Sequence, residues 1–586
     1  MRGLALLGVF IAAKLIILIG RPVELSGWSL IAYFWQDLFV ASAFALLDRA
    51  IGRERLGWAV YGVAVAYVAI NVPVALVLSS PLTYPMLGAA SGALSDSIKH
   101  HATPQSLAAM AAVVSAGIAL PFIVRRVGLK PWKLLIVPAL LFMLLGPLAT
   151  SRVETLGRGR NAILALVTSA LPRIYARSSD FNGDGEWRTS PFGVNSTGED
   201  LSRWRGAAAG RNVVLVSLES TGAQYLSTYG AIRDPMPNFS DLARNALVFE
   251  RAYSVYPESI KGLFSVLCAR YPAMDTASET FARVKTPSLA AVLKTAGYRT
   301  ALFHSGRFMY LAMDSVVANR GYEILEDAGA IGGHFESSFG VDETSTVSRA
   351  LGWIDSLQPG ERFFLTYLPI AGHHPYDTPE PGPFAERADA DRYLNALHYA
   401  DSALGDLIGG LRRRGLADHT LFVIFGDHGE AFGQHDGNFG HSLFLYEENI
   451  HVPYLVSAPG LIGGQVRDSE TLSLIDTAPT ILDLLGLEAP AGYQGESALA
   501  GKPSMALFYT DYSLSLMGLR DDCWKYLYEL DSGRSKLFDL CQDPSESRDL
   551  SELYPERITA YRGRVERWTS AQKALLSSSM EGAGHR

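Results

Sequence analysis

The feature that most constrains the fold of this chain is a set of long apolar runs before residue 150. Five runs each approach the roughly 20 residues that an α-helix needs to cross a bilayer. They are Leu4–Gly20, Trp28–Leu47, Leu56–Ser79, Leu107–Val124 and Trp132–Leu148. A cleavable signal peptide is the alternative for the first run, but no small-residue cleavage site follows it. We therefore expect residues 1–150 to form a multi-pass, membrane-embedded domain of five helices.

Basic residues predict the orientation of these spans. Two clusters follow the second and fourth runs: Arg49, Arg53 and Arg55, then Arg125, Arg126, Lys130 and Lys133. Loops that face the cytoplasm are enriched in lysine and arginine. The amino terminus is therefore expected in the cytoplasm, and everything after an odd number of spans in the periplasm or outside the cell. This places the chain in the inner or plasma membrane.

Two charged residues, Lys14 and Asp37, lie inside the apolar runs. Charges at membrane depth are costly, so they indicate an ion pair or a contact with a lipid headgroup. A snorkelling lysine and an aspartate at the interface are the other interpretation. The net charge of −8 and the lack of a clustered basic face give no support to a nucleic-acid partner.

A composition break at residues 151–209 predicts a linker, in which the apolar stretch Asn161–Tyr175 could lie along the membrane surface. Within the linker, Asp180–Gly185 matches the first half of a calcium-binding loop. Its twelfth position is Pro191 instead of the glutamate that would complete the ligand set. A plain Asx-rich turn is therefore the favoured interpretation of this segment.

From Arg211 onward, buried strand patterns alternate with amphipathic helix patterns, which predicts a mostly parallel sheet with helices on both faces. Polar residues follow the predicted strands at their carboxyl ends: Glu219, His304, His373, Asp427 and His428. Chemistry in such folds collects at that edge of the sheet. Two carboxylates, an imidazole and a hydroxyl would suit a divalent cation, which activates a serine oxygen.

Several motifs then carry a family resemblance. The segment from Ser259 to Pro272 ends in Arg-Tyr-Pro and resembles the nucleophile segment of sulfatases, with Ser259 in the place of the nucleophile. Further matches lie at residues 212–220, 289–300, 373–375, 399–404, 426–430 and 445–453. The resemblance implies an α/β sulfatase-like catalytic domain at residues 210–505. It also implies a small antiparallel subdomain with a terminal helix at residues 506–586.

Departures from the sulfatase pattern indicate a subclass. Sulfatases carry Pro and Arg at the second and fourth positions after the nucleophile, for its conversion to formylglycine, whereas this chain has Lys261 and Leu263. It also has a single Glu219 in place of paired aspartates, and Asp-His at residues 427–428 in place of Asp-Asn. In these features it resembles lipoteichoic acid synthases and phosphoethanolamine transferases. Those families also place five membrane spans before an exported catalytic domain.

The resemblance implies a set of site residues. Ser259 would be the catalytic nucleophile. One divalent ion, Mn²⁺ or Zn²⁺ in preference to Ca²⁺ or Mg²⁺, would be bound by Glu219, Ser259, Asp427 and His428. The substrate phosphate would be held by His304, His373 and His441. Arg307 is a further candidate, because the positions of a substrate-contacting Trp and Arg in lipoteichoic acid synthases are Leu311 and Met313 here.

The implied activity is metal-dependent transfer of a phosphorus-containing headgroup, of the phosphoglycerol or phosphoethanolamine type. A membrane lipid would be the donor and an envelope glycan or lipid the acceptor, with a covalent intermediate on Ser259. An exported phosphodiesterase or sulfatase-like hydrolase is the first alternative, with water as the acceptor. An inactive envelope scaffold is the second.

The three cysteines, Cys268, Cys523 and Cys541, lack the spacing of zinc or redox sites. Cys523 and Cys541 flank two strand-like runs, and a hairpin centred on Ser532 would bring them nearly opposite one another. In an oxidising compartment they could form a disulfide. A pair of free, buried thiols is the alternative.

The predicted topology can be tested with reporter fusions. A reporter that is active only outside the cytoplasm should be active when fused after Leu201 and silent when fused near Arg53, because the basic loop stays in the cytoplasm. Enzymatic activity of the two fusions in intact cells is the measurement. The opposite pattern would contradict the orientation.

Overall fold

The computed structural model describes residues 1–89, 95–127, 136–171, 186–193, 198–501 and 505–581. In these residues the α-helices, numbered α1 to α19 in chain order, are Arg2–Leu18, Ser29–Ile51, Glu54–Leu78, Tyr84–Ala89, Ser95–His101, Pro104–Val127, Ile136–Leu144, Gly146–Arg152, Ala162–Ser169, Pro237–Ala243, Ser259–Cys268, Leu289–Thr295, Asp314–Val317, Ala328–Ile331, Glu343–Asp355, Asp389–Arg413, Glu447–Ile450, Thr477–Leu484 and Pro555–Glu581. The β-strands, β1 to β15, are Asn212–Leu218, Leu247–Tyr253, Arg299–His304, Ile324–Glu326, Phe363–Leu368, Thr420–Gly426, Ala431–Phe432, Phe439–Gly440, His451–Val452, Tyr454–Ser457, Val466–Ser473, Ala506–Thr510, Leu516–Asp521, Trp524–Glu529 and Arg534–Asp539.

Helices α1–α8 form the N-terminal helical region, residues 2–152. Among the described residues, three helices are long and apolar enough to cross a membrane: α2, α3 and Pro104–Arg126 of α6. Helix α1 has 17 residues. Residues 128–135, which include the start of the fifth apolar run, lie outside the described residues, and α7 and α8 follow them as two short helices. The five-span prediction is therefore not confirmed, whereas apolar helices before the α/β region are. We call the region from Asn212 onward the catalytic region, after its predicted role.

The charged residues of the apolar helices form an ion pair. Lys14 Nζ lies 2.6 Å from Asp37 Oδ2, and both side chains are buried. Lys14 also donates to the carbonyl oxygens of Tyr33 and Gly159, at 2.5 and 2.9 Å. The second oxygen of Asp37 accepts a hydrogen bond of 2.7 Å from Asn161 Nδ2. The ion-pair prediction is confirmed, and the pair also binds the chain that follows α8.

The segment that follows α8 contains helix α9. Asn161 caps α9 by accepting hydrogen bonds from the backbone N–H groups of Ile163 and Leu164. The segment Asp180–Gly185, for which a plain turn is favoured over a calcium loop, falls outside the described residues.

The central sheet runs in the order β11-β2-β10-β6-β1-β5-β3-β4, with β9 paired to β2. The five strands from β6 to β4 are parallel to their neighbours, while β10 is antiparallel to both β6 and β2. Every residue of β1, β5 and β6 is buried, as expected when helices cover both faces of a sheet. The predicted α/β fold with a mostly parallel sheet is confirmed.

One predicted helix is wrong at its end. The apolar pattern predicts a helix over Pro237–Leu247, but α10 ends at Ala243 and Leu247 begins β2. The run that starts at Leu247 is buried between β10 and β11. Pairing on both edges supplies the backbone hydrogen bonds there, so tertiary structure overrides the local helical pattern.

A four-stranded antiparallel sheet, β12-β13-β14-β15, follows the central sheet. Helix α19 packs on it through Tyr561, Val565 and Trp568, which share a buried cluster with Leu519 and Tyr526. Cys523 and Cys541, at the two ends of the β14–β15 hairpin, form a disulfide, so the disulfide prediction is confirmed. Cys268 is a free, buried thiol at the end of α11.

The N-terminal helical region lies against the catalytic region. Thr83 Oγ1 donates to the carbonyl oxygen of Tyr512 at 2.7 Å, and the hydroxyls of Ser80 and Ser513 are 2.5 Å apart. Arg158 Nη1 lies 2.7 Å from Asp436 Oδ2. The segment after α3 and the segment after α8 therefore both hold the catalytic region.

The Lys14–Asp37 pair predicts a large stability effect. Asp37→Leu leaves a buried ammonium without its partner and should lower the free energy of unfolding by about 3–5 kcal/mol. The double variant Lys14→Met/Asp37→Leu should recover most of that loss, since no charge stays buried. Thermal unfolding of the full chain in detergent micelles is the measurement.

Asp48→Leu is the matched control, because the Arg2–Asp48 pair is more exposed and should contribute less. A double variant that is as unstable as Asp37→Leu would contradict the interpretation.

Candidate active site

The first group of site residues follows two adjacent parallel strands. Strands β1 and β6 pair in register up to Leu218 and Gly426, so the residues that come next, Glu219 and Asp427, emerge side by side. Asp427 Oδ1 accepts hydrogen bonds from the backbone N–H groups of Ser220 and His428, at 2.9 and 2.8 Å. These bonds fix the carboxylate at the edge of the sheet.

Ser259 completes this group. Its hydroxyl donates to Glu219 Oε2 at 2.9 Å and lies 3.4 Å from His428 Nε2. His428 Nε2 is 3.7 Å from Glu219 Oε1 and 3.6 Å from Asp427 Oδ2. One potential ligand atom from each of Glu219, Asp427 and His428 lies within 4.8 Å of the other two, and all three residues are buried.

The electrostatics of this group fit a divalent cation. Burial, together with the neighbouring Asp427, raises the pKa of Glu219 well above its usual range. Two buried carboxylates repel one another when both are ionised, and a bound cation would relieve that repulsion. Burial lowers the pKa of His428, and its Nδ1 lies 3.0 Å from the carbonyl oxygen of Gly429, so the neutral ring keeps a lone pair on Nε2. Carboxylate oxygens and an imidazole suit Mn²⁺ or Zn²⁺.

Helix α11 presents Ser259 at its first position. Glu258 caps the helix by accepting hydrogen bonds from the backbone N–H groups of Ile260 and Lys261, at 3.0 and 3.4 Å. Lys261 forms an ion pair with Asp511, whose carboxylate oxygens lie 2.8 and 2.9 Å from the ammonium. The amino-terminal end of a helix favours negative charge, so a phosphoryl or sulfuryl group would be stabilised beside Ser259.

Three histidines lie near this group. His304 Nδ1 lies 3.0 Å from the carbonyl oxygen of Leu368, and His373 Nδ1 lies 2.7 Å from that of His374. Burial lowers the pKa of both His304 and His373 to about 4, so each ring is neutral at neutral pH. His441 differs, because Glu430 lies 2.7 Å from its Nδ1. Burial opposes the charge of His441, but Glu430 raises its pKa to about 9.

These residues surround one cleft, which we call the catalytic cleft. Six of the residues singled out from the sequence line it: Glu219, Ser259, His304, Arg307, His373 and His441. Asp427 and His428 lie behind them, with the His428 ring 4.2 Å from the His441 ring. Leu311 and Met313 also line the cleft. The structure therefore brings all eight predicted site residues together, while their roles stay predictions.

Two buried glutamates at this edge were missed. Glu430 accepts a hydrogen bond of 2.6 Å from the Tyr376 hydroxyl in addition to its pair with His441. It lies in the motif at residues 426–430, where its spacing from His428 was the available signal.

Glu343 is the second missed residue. It accepts hydrogen bonds from the backbone N–H groups of Ile370 and Ala371, at 2.8 and 3.0 Å, and from the hydroxyls of Ser305 and Tyr367. It thereby joins the ends of β3 and β5, which carry His304 and the approach to His373. The amphipathic pattern of residues 350–357 predicts a helix that begins at Ala350, whereas α15 begins seven residues earlier, at Glu343 itself.

A hydroxyl, two carboxylates and several imidazoles at the carboxyl edge of a parallel sheet suit metal-assisted transfer or hydrolysis of phosphate or sulfate esters. Comparison with known proteins agrees. The sulfatase family model matches residues 211–487, and the model of the N-sulphoglucosamine sulphohydrolase C-terminal region matches residues 433–560.

Arylsulfatase K of Bos taurus is 28% identical over 243 residues, which are 36% of this chain and 44% of that protein. The lipoteichoic acid synthase-like protein YvgJ of Bacillus subtilis is 25% identical over 316 residues, 50% of this chain and 51% of that protein. The chain thus spans about half the length of these relatives or less.

Among solved structures, the lipoteichoic acid synthase LtaP of Listeria monocytogenes has a TM-score of 0.54 and 18% identity, and covers 66% of this chain and 96% of its own. At this identity the likeness concerns the fold. Together the matches identify residues 211–487 as a domain similar to those of the sulfatase superfamily. Members of this superfamily are metal-dependent.

The ligand set yields a metal-content prediction. Glu219→Ala, Asp427→Ala and His428→Ala should each remove one equivalent of bound metal and lower the rate, because each removes a side chain that faces the same point. Elemental analysis of the purified full chain measures the content. His419→Ala, an exposed histidine after α16, is the control and should change neither quantity. Full occupancy in all three variants would exclude this ligand set.

Proposed function

We propose that this chain transfers a phosphorus-containing headgroup, of the phosphoglycerol or phosphoethanolamine type, from a membrane lipid to an envelope glycan or lipid. The enzyme would lie in the inner or plasma membrane with its catalytic region in the periplasm or outside the cell. The observation that carries the proposal is the position of Ser259. Its hydroxyl lies 2.9 Å from Glu219 at the start of α11, next to a metal-type ligand set and in a cleft that three histidines also line.

The residues that follow Ser259 support a hydroxyl nucleophile. Lys261 is engaged in an ion pair with Asp511, and Leu263 is buried in the hydrophobic core. Neither residue supplies the Pro or Arg of the formylglycine signal in sulfatases. Ser259 therefore acts as an alcohol, which suits formation of a phosphoester intermediate. The YvgJ relative, named as lipoteichoic acid synthase-like, agrees with this subclass.

In the first half-reaction, a bond forms between Ser259 Oγ and the phosphorus of the donor, and the bond from phosphorus to the lipid oxygen breaks. A divalent ion held by Glu219, Ser259, Asp427 and His428 would lower the pKa of the serine hydroxyl and neutralise charge on the transferring group. His441, which Glu430 keeps positively charged, attracts the phosphoryl oxygens. The departing lipid oxygen takes up a proton and leaves as an alcohol.

In the second half-reaction, the acceptor hydroxyl forms a bond to phosphorus, the bond to Ser259 breaks, and the serine regains a proton. The neutral rings of His304 and His373 offer Nε2 lone pairs that can accept the proton of the acceptor. Because donor and acceptor use the same covalent intermediate in turn, the kinetics should be ping-pong.

The position of the cleft supports a lipid donor. Tyr512 lines the cleft, and its carbonyl oxygen accepts the hydrogen bond from Thr83, five residues after the apolar helix α3. A site next to an apolar helix is accessible to a headgroup at the membrane surface. A free-standing hydrolase would not need this contact.

Hydrolysis is the second candidate function. The matches to arylsulfatase K and to the N-sulphoglucosamine sulphohydrolase C-terminal model favour it. In that case water replaces the acceptor, and the product would be a free phosphate or sulfate compound. An inactive scaffold is disfavoured, because all four metal-ligand candidates are present together.

The test is the fate of the headgroup. Full chain in vesicles that contain labelled phosphatidylglycerol or phosphatidylethanolamine should acquire the label on Ser259 and pass it to an added glycan or lipid acceptor. Ser259→Ala should lose labelling and lower turnover by at least about 10³-fold, because the attacking oxygen is absent. Intact-protein mass spectrometry and product analysis are the measurements.

Two variants control for folding. Ser259→Thr keeps a hydroxyl and should retain part of the activity, and Ser265→Ala removes a buried hydroxyl from the same helix away from the cleft. Label that appears only in water-soluble product would favour the hydrolase. Near-normal turnover of Ser259→Ala would remove Ser259 from the mechanism.

A further inference from the structure

A second group of histidines lies outside the catalytic cleft, where the N-terminal helical region contacts the catalytic region. Helix α5 lies between α3 and α6 and ends in His100 and His101. Both rings pack against His374, with ring centroids 5.0 Å apart in each case, and the His101 and His374 planes differ by 8°. His100 Nε2 also lies 3.5 Å from Asp389 Oδ1 at the start of α16. Three separate segments thus converge on one point.

The arrangement meets the distance requirement for metal ligands. One ligand atom from each of His100, His374 and Asp389 lies within 4.8 Å of the other two. Ligands of a tetrahedral zinc ion lie 2.0–2.2 Å from the metal, and hence about 3.4 Å from one another. Small side-chain rotations would shorten the distances between the ligand atoms to this value. His101 is the fourth candidate, since its ring centroid lies 5.1 Å from that of His100.

The surroundings hold two of these ligands in place. Arg392 lies one turn after Asp389, with Nη1 3.7 Å from its Oδ1. The same guanidinium donates to the carbonyl oxygen of Pro375, next to His374. A second layer of this kind orients metal ligands. His100 and Asp389 are partly exposed, with 28% and 44% of their side-chain surfaces accessible, so an ion can enter from solvent.

We infer that His100, His374 and Asp389 form a second metal site, with His101 or water as its fourth ligand. The site would take a transition-metal ion of the Zn²⁺ class, because imidazole nitrogen is a preferred ligand of such ions and a poor one for Mg²⁺ or Ca²⁺. It is distinct from the catalytic group, with which it shares no residue. This assignment does not depend on the reaction proposed for Ser259.

The bound ion would join the N-terminal helical region to the rim of the catalytic cleft. His374 directly follows His373, which lines the cleft. Earlier in the same connecting segment, Thr83 contacts Tyr512 and α4 packs against Tyr310–Ala312. A metal at α5 adds an attachment at the side of the cleft that His373 occupies. Residues 79–89 and 95–101 would then border the cleft along one edge.

Metal stoichiometry of the full chain in detergent tests the assignment. Protein stripped with a chelator, loaded with Zn²⁺ and freed of excess ion should hold two equivalents by elemental analysis. His100→Ala and Asp389→Asn should each hold one, as should Glu219→Ala, which lacks the catalytic ligand. The double variant Glu219→Ala/His100→Ala should hold none. His419→Ala is the matched control and should hold two.

Asp389→Asn changes no side-chain volume, so its result stands if His100→Ala proves unstable. Unchanged Zn²⁺ content in both variants would overturn the second site, whatever Glu219→Ala shows. A wild-type content of one equivalent that Glu219→Ala removes would overturn it as well. Unchanged content in Glu219→Ala with loss in His100→Ala would instead count against the catalytic ligand set and leave the second site supported.

Discussion

The burial of two carboxylates side by side is the constraint on which the rest of the catalytic site depends. Glu219 and Asp427 are neighbours because β1 and β6 are parallel and in register. Backbone pairing of the two strands holds both residues at the same edge of the sheet. Both carboxylates are buried away from water, so their mutual repulsion favours a positive charge nearby. His428 is buried and neutral, whereas His441 is charged, and a bound divalent cation would add further compensation. The hydroxyl of Ser259 would then lie next to that cation.

The three histidines that line the cleft differ in their charge at neutral pH. Glu430 keeps His441 charged, whereas His304 and His373 each donate Nδ1–H to a backbone carbonyl and stay neutral. A charged donor and two lone-pair acceptors are therefore available within one site. This division follows from which histidine has a carboxylate partner. A phosphoryl group is attracted by a charged donor, whereas an acceptor hydroxyl must give its proton to a neutral base. The cleft offers both kinds of group.

The core of the fold could be predicted from the sequence because β1, β5 and β6 are apolar at nearly every position and end in polar residues. Strand β2 could not, since its start reads as the end of a helix until β10 and β11 pair with it. Ser259 and its neighbours were found through motif spacing. Glu343 and the pairing of His100 with His374 were not, because their contacts join segments far apart in the chain and leave no local pattern.

Residues 158–161 fix the distance between the catalytic cleft and the apolar helices. Lys14, deep among those helices, binds the carbonyl oxygen of Gly159, while the flanking Arg158 and Arg160 bind Asp436 and Ser513 on the catalytic side. Because this link is short, it leaves little freedom for the cleft to move relative to the apolar helices. Under the proposed function, the acceptor would therefore have to reach the membrane surface to be modified.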